Sequence, residues 1–350
     1  MKIKKFVIIA SAFVSMAFFG SHTVNAIECL RAPLPPALDA LTSSNAVAFS
    51  TVEVDSWDGT TPAPADDNIY YAFMPKKTVP TVGFMILPGG NCDPRSYAPA
   101  AHAIAAKGFF TCIIPMPSCI AMFGYMRGDR IIQDHAKIET WVMGGHSVGG
   151  TAACPYAKTS GKLSGVVIWA SLADPSSELQ KTAIKVFSVY GSLDGRATPE
   201  QVKENAVYLP TDTVFEEIEG GNHTQFGWID PSPNAYLEQD NAATITIEEQ
   251  QEIIVRVTAD FLMQFNKNIC PVAYLLGKED PRVNTVRKVR DELLAKSSSG
   301  QDLIELYKKH GAQLIAIFEK SPVIKDAVTK LLGAITLQRD LDKLLVDNKA

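Results

Sequence analysis

The chain has 350 residues, 33 of them basic and 38 acidic, for a formal charge of −5. That mild acidity excludes a nucleic-acid partner held through its phosphates, because such binding depends on neutralisation by Lys and Arg. With no C-x-x-C pair and no clustered histidines, zinc is not expected either, and the length suits about two domains.

At the N-terminus, Lys2, Lys4 and Lys5 precede an apolar run from Phe6 to Phe19, and Val24-Asn25-Ala26 supplies the small-x-small ending of a secretory leader. The run spans 14 residues, short of the roughly 20 that cross a bilayer, so a leader over 1–26 is expected rather than an anchor. Glu28 stands where a lipidation box before Cys29 would carry a small residue. A periplasmic or secreted location follows, with no membrane span. Loss of residues 1–26 removes three lysines and no acid, taking the charge from −5 to −8. All six cysteines survive it, in a compartment that permits disulfides. The expected pair is Cys92 with Cys119, both in loops at one edge of a sheet.

After a lead over 27–45, the runs "AVAFSTVEV", "NIYYAFM", "VGFMIL", "FTCIIP", "TWVMGG", "GVVIWA", "KVFSVYG" and "TVFEEIE" read as strands, several of them apolar without interruption. Helical stretches are expected at 97–107, 129–136, 148–158, 199–207 and 246–266. Alternation of this kind predicts an α/β fold, a mainly parallel, doubly wound sheet over 46–269. From Cys270 to 350 the pattern is helical throughout, with Val286, Val289, Leu293, Leu303, Leu306, Leu314 and Phe318 at helical spacing.

In such a sheet, ligands bind beyond the carboxyl ends of the strands. Ser147 lies there, directly after "TWVMGG", in the G-x-S-x-G pentapeptide Gly145-His146-Ser147-Val148-Gly149. A serine hydroxyl needs a base to take its proton and a carboxylate to orient that base. Of the histidines, His22 falls in the leader, His310 in the tail, and His102 and His135 in elements where packing roles are expected. His146 is locked beside Ser147 with an unsuitable direction, which leaves His223 in the loop "EGGNHTQFG" after the last strand. Asp194, in "SLDG", is the carboxylate that falls between them in chain order; Asp174 is the runner-up, and Glu217 and Glu219 are less well placed. Backbone amides must also face the oxyanion that forms when serine attacks a carbonyl. Val148 offers one, and Gly90 or Asn91, in "LPGGNCDPRSY", the other.

The segments "PGGNCDPRSYAP", "PMP", "GGHSVGG" and "GGNHTQFG" together resemble the alpha/beta-hydrolase superfamily, most closely a bacterial branch related to dienelactone hydrolase, over about residues 70–266. The resemblance implies an alpha/beta-hydrolase fold with Ser147 as nucleophile, Asp194 as orienting acid and His223 as base. The tail is similar to the helical module named for its Cys-Phe-Ile box, with Cys270, Arg290-Asp291 and Leu293 in comparable places but without the Phe and Ile after the cysteine. Cys270 is expected to be tethered to another cysteine.

Two readings follow. The first is a secreted serine hydrolase for a small carboxylic ester, lactone or thioester, working through an acyl-enzyme and needing no cofactor. The second is a non-enzymatic binding protein on a hydrolase scaffold, whose helical tail contacts a protein partner.

Overall fold

The computed structural model describes residues 29–335, apart from 66, 174, 176, 232–239, 267–269 and 278–279. The leader over 1–26 and the alternative acid Asp174 therefore lie outside the described residues.

All eight expected strands form and join one sheet: β1 Val47–Glu53, β2 Ile69–Pro75, β3 Val82–Leu87, β4 Phe110–Ile113, β5 Thr140–His146, β6 Gly165–Trp169, β7 Lys185–Gly191 and β8 Val214–Ile218. Their order is β1-β2-β4-β3-β5-β6-β7-β8, and only the β1–β2 and β2–β4 pairings are antiparallel. The helices of this part are α1 Pro35–Asp39, α2 Ala98–Ala106, α3 Gly128–Asp134, α4 Val148–Ser160, α5 Pro199–Asn205 and α6 Ile247–Met263. The parallel connections from β3 to β4, β4 to β5, β5 to β6 and β7 to β8 cross through α2, α3, α4 and α5, whereas that from β6 to β7 shows, among the described residues, only a single 3-10 turn at Leu179–Lys181.

The uninterrupted apolar strands are explained by two cores, one on each face. Along β3, Phe84 and Ile86 enter one core, which α2 and α6 cover through Ile104, Ile254 and Leu262. Met85 and Leu87 enter the other, covered by α3 and α4 through Ile131, Ala152 and Ala153. Period-two alternation therefore persists in β3, but both of its faces are apolar. At the sheet margin, β8 exposes Val214 and Phe215 and presents Glu216 and Glu217, so the sheet ends in a wet edge.

The disulfide differs from the expected one. Cys119 bonds to Cys29, with Cα atoms 5.8 Å apart. Backbone pairing explains the choice. Arg31 donates to the Asn91 carbonyl at 2.9 Å and accepts from Asp93 N–H at 3.0 Å, laying the N-terminal lead beside the loop that follows β3. This brings Cys29 to Cys119, whereas the Cys92 side chain turns inward, is buried, and has its thiol pushed up in pKa by that burial. A tie across 90 residues of sequence leaves no local signature.

Beyond the sheet, α7 Pro271–Leu276, α8 Pro281–Lys288, α9 Ser298–Lys320 and α10 Pro322–Ile335 share a small core of Val272, Ala273 and Val283, with Val286, Tyr307 and Leu332 against it. The expected tether at Cys270 does not form. Its thiol lies 3.6 Å from the Tyr307 hydroxyl instead. Of the apolar residues in register, Phe318 is buried, but Leu303 and Leu306 are exposed, because α9 packs along only part of its apolar face.

Candidate active site

β5 delivers Ser147 to the carboxyl edge of the sheet, and the chain reverses there at φ 52°, ψ −122°. This region of backbone space is costly for a residue with a side chain, and it is held by its surroundings. Ser147 N–H donates to the Trp169 carbonyl, while the Ser147 carbonyl accepts from Ser171 Oγ. The two flanking glycines are demanded by close approach. A Cβ on Gly145 or on Gly149 would run into the carbonyl oxygen of Leu87. Ser147 occupies the N-cap position of α4, yet its hydroxyl makes no capping bond. An ordinary turn serine there would accept from the first helical turn; Ser147 does not, and it lines a cavity instead.

Asp194 follows β7, and the chain folds around its carboxylate. Oδ1 accepts from the amides of Arg196 and Ala197, both at 2.8 Å, and Oδ2 accepts from His223 Nδ1 at 2.9 Å. Both side chains of the pair are almost wholly buried, 0% and 3% exposed, so the bond is sheltered from competing water. Since the carboxylate can only accept, Nδ1 carries the proton and Nε2 is left as an acceptor.

The His223 loop, after β8, is clamped from several sides. Buried Gln250 of α6 accepts from Asn222 N–H at 3.0 Å and donates to the Asn222 carbonyl at 2.8 Å. Asp240 accepts from Thr224 N–H at 2.7 Å. The sequence reading did not find Gln250, because nothing around it marks a glutamine that points inward from an amphipathic helix.

Opposite the elbow, the loop after β3 brings Gly90 against Val148, where a Cβ on Gly90 would sit 3.2 Å from the valine side chain. The two sequence candidates for the oxyanion donor separate here. Asn91 N–H donates to the Cys119 carbonyl at 2.9 Å and is occupied, whereas the Gly90 amide has no acceptor among the described residues. Val148 is the first residue of α4, so its amide has no intrahelical acceptor.

His146, set aside as base in the sequence, points its Nδ1 to Tyr97. It is buried, with Nδ1 2.8 Å from the Tyr97 hydroxyl, which in turn accepts from Gly89 N–H at 2.9 Å. Its ring lies 4.6 Å from that of His223. Burial, and after it the charges of His223, Arg196 and Arg31, hold its pKa well below the ordinary histidine value. Held neutral in this way, it packs against His223 without adding a positive charge. His102 and His135 pack against Phe73 and Phe110 respectively, in the structural roles expected. Glu217 accepts from Tyr190 and Lys203 rather than from His223.

Ser147, Val148, Thr151, Ser171, Arg196 and His223 line one cavity of about 320 Å³. Among the described residues, no group of His, Cys, Asp and Glu could hold a metal ion.

Sheet order, elbow and buried Asp–His pair define the alpha/beta-hydrolase fold. Residues 83–252 match the model of the alpha/beta hydrolase family. Among solved structures, the chain is similar to the esterase domain of a Rhodothermus marinus protein, at 10% identity and a TM-score of 0.47, over 61% of this chain and 97% of that one. It is also similar to a "predicted CIB-like hydrolase" from Thermoplasma acidophilum, at 17% identity and a TM-score of 0.42, over 62% of this chain and 98% of that one. No curated protein matches the sequence.

Proposed function

We propose that the protein is a secreted serine hydrolase that cleaves a small carboxylic ester, or a lactone or thioester, through an acyl-enzyme. The observation that carries this reading is the buried His223–Asp194 pair at 2.9 Å, with His223 lining the same cavity as Ser147 on its positive-φ elbow. In the proposed reaction, His223 Nε2 takes the proton of Ser147 Oγ as that oxygen bonds to the substrate carbonyl carbon. The amides of Gly90 and Val148 receive the oxyanion. The imidazolium, held by Asp194, then protonates the leaving oxygen as the ester C–O bond breaks. Water, deprotonated by the same nitrogen, cleaves the acyl-serine and restores the hydroxyl.

A cavity of about 320 Å³ stands at the small end of ligand sites, which supports a small substrate. Secretion is supported by the leader sequence together with the Cys29–Cys119 disulfide, a bond that persists in oxidising compartments. Among the described residues, no helix is long and apolar enough to cross a membrane. The finer assignment to a dienelactone-hydrolase-related branch, and that of the tail to the Cys-Phe-Ile-box module, rest on the quoted motifs.

Turnover of a 4-nitrophenyl ester series tests the reading. Acetate and butyrate esters should be hydrolysed and the palmitate ester should not, and Ser147→Ala should lower kcat by roughly 10⁴-fold or more. Rapid turnover of the palmitate ester alone would overturn the small-substrate assignment.

A further inference from the structure

His146 is buried at the end of β5, next to Ser147, and its ring sits between the two loops that the proposed reaction needs held together. On one side is Tyr97, fully buried. Its hydroxyl accepts from Gly89 N–H at 2.9 Å, one residue before Gly90, and lies 2.8 Å from His146 Nδ1. On the other side are His223, with ring centroids 4.6 Å apart, and Phe226, parallel to the imidazole within 6° at 5.9 Å. The same two loops touch elsewhere. Trp228 N–H donates to the Ser96 carbonyl at 2.8 Å, and a Cβ on Gly227 would stand 3.1 Å from the Tyr97 ring.

Chemistry places the protons of this cluster. Because the Tyr97 oxygen accepts from Gly89, its own proton is left to donate, and His146 Nδ1 is the strong acceptor beside it. Cys92 Sγ, also close to this hydroxyl, is a weak acceptor and turns its own proton to the Gly90 carbonyl at 3.5 Å. The neutral His146 ring therefore carries its proton on Nε2. That nitrogen is buried and has no hydrogen-bond partner among the described residues, a costly state for a donor. The His223 main-chain carbonyl is the acceptor at hand. Burial lowers the His146 pKa, and the His223 backbone, as an acceptor beside the ring, opposes it. The same carbonyl accepts from Phe226 N–H at 3.3 Å, which occupies one of its two lone pairs.

We propose that Tyr97 and His146 are positioning residues of the hydrolase: closure of His146 Nε2–H onto the His223 carbonyl fixes the base relative to Ser147, and the Tyr97 bond ties the same ring to the loop that carries Gly90. This rests on the hydrolase reading and adds to it a link between base and oxyanion donor, which otherwise lie on separate loops after β8 and β3. A small misplacement of either costs rate rather than binding, since both groups act on the transition state.

Two measurements test it on the protein without its leader. Long-range proton–nitrogen NMR of the histidine rings reads the tautomer in the unsubstituted protein, independently of catalysis. His146 should be neutral and protonated on Nε2; a proton on Nδ1 would overturn the proposal. Kinetics on 4-nitrophenyl butyrate read the effect on rate. Asn reaches as far as Nδ1 of the imidazole it replaces and Gln as far as Nε2, so only Gln keeps a donor for the His223 carbonyl. His146→Asn and Tyr97→Phe should each lower kcat by roughly 10-fold with KM unchanged, the size of one hydrogen bond, and His146→Gln should stay within about 3-fold of the unsubstituted enzyme. Unchanged kcat in His146→Asn and Tyr97→Phe would overturn the proposal and leave the hydrolase reading standing. Equal losses in the Asn and Gln variants, with a raised KM and a lowered Tm, would do the same. An unsubstituted protein that turns over no ester and takes no fluorophosphonate label would overturn the hydrolase reading, and this proposal with it.

Discussion

Asp194 is both a turn former and, in the proposed triad, the group that orients His223. Its Oδ1 accepts two backbone amides at 2.8 Å, which shapes the turn into α5, while Oδ2 faces His223 Nδ1 at 2.9 Å. Asp194→Asn would keep an oxygen for the amides and turn the NH₂ group toward the imidazole. The imidazole would then carry its proton on Nε2, where it could not accept one from Ser147. A fall in kcat on 4-nitrophenyl butyrate of about 10⁴-fold is expected, with an unchanged circular dichroism spectrum; retained activity would show that the acid is supplied elsewhere. The proposed triad of Ser147, Asp194 and His223 was legible as a candidate in the sequence because each residue follows a recognisable strand. Tyr97, which bonds His146 from 49 positions away, was not, since that contact exists only once α2 lies against the sheet.

At the level of elements, the eight strands and the main helices were legible because apolar runs too continuous for a half-wet strand alternate with amphipathic stretches. The strap was not. Cys29 lies in a lead with no periodicity, and its pairing with Cys119 depends on Arg31 adding backbone bonds to the loop that carries Gly90. Because Asn91 N–H is bonded to the Cys119 carbonyl, the disulfide also steadies the loop that carries Gly90, the proposed oxyanion donor. Closing a loop of this length contributes about 4–5 kcal/mol on chain-entropy grounds. Cys29→Ser should therefore lower Tm and reduce kcat together. An unchanged Tm and kcat would show that the backbone bonds alone hold the lead.

Across the whole molecule, three histidines are held neutral by packing. His102, His135 and His146 all have their pKa lowered, in each case first by burial. In the unfolded chain they take up protons near the ordinary value of about 6.5, while the folded chain resists doing so. The unfolded state thus binds more protons below that pH. The stability these groups contribute is fully present above about 6.5 and is lost as pH falls toward their folded values. The urea midpoint should be lower at pH 5.5 than at pH 7.5; a flat or opposite trend would mean that these rings are protonated in the fold. The helices beyond 270 have their own small core and leave Leu303, Leu306 and Leu331 exposed, a surface separate from the cavity.

The central claim is that Ser147 is an activated nucleophile, and labelling with a fluorophosphonate tests it most directly. Residues 27–350 should take up one equivalent, located on Ser147 by peptide mass, with labelling abolished in Ser147→Ala and in His223→Ala. A folded protein that takes up no label, or takes it up equally after His223→Ala, would contradict the account and point to a hydrolase fold used for binding.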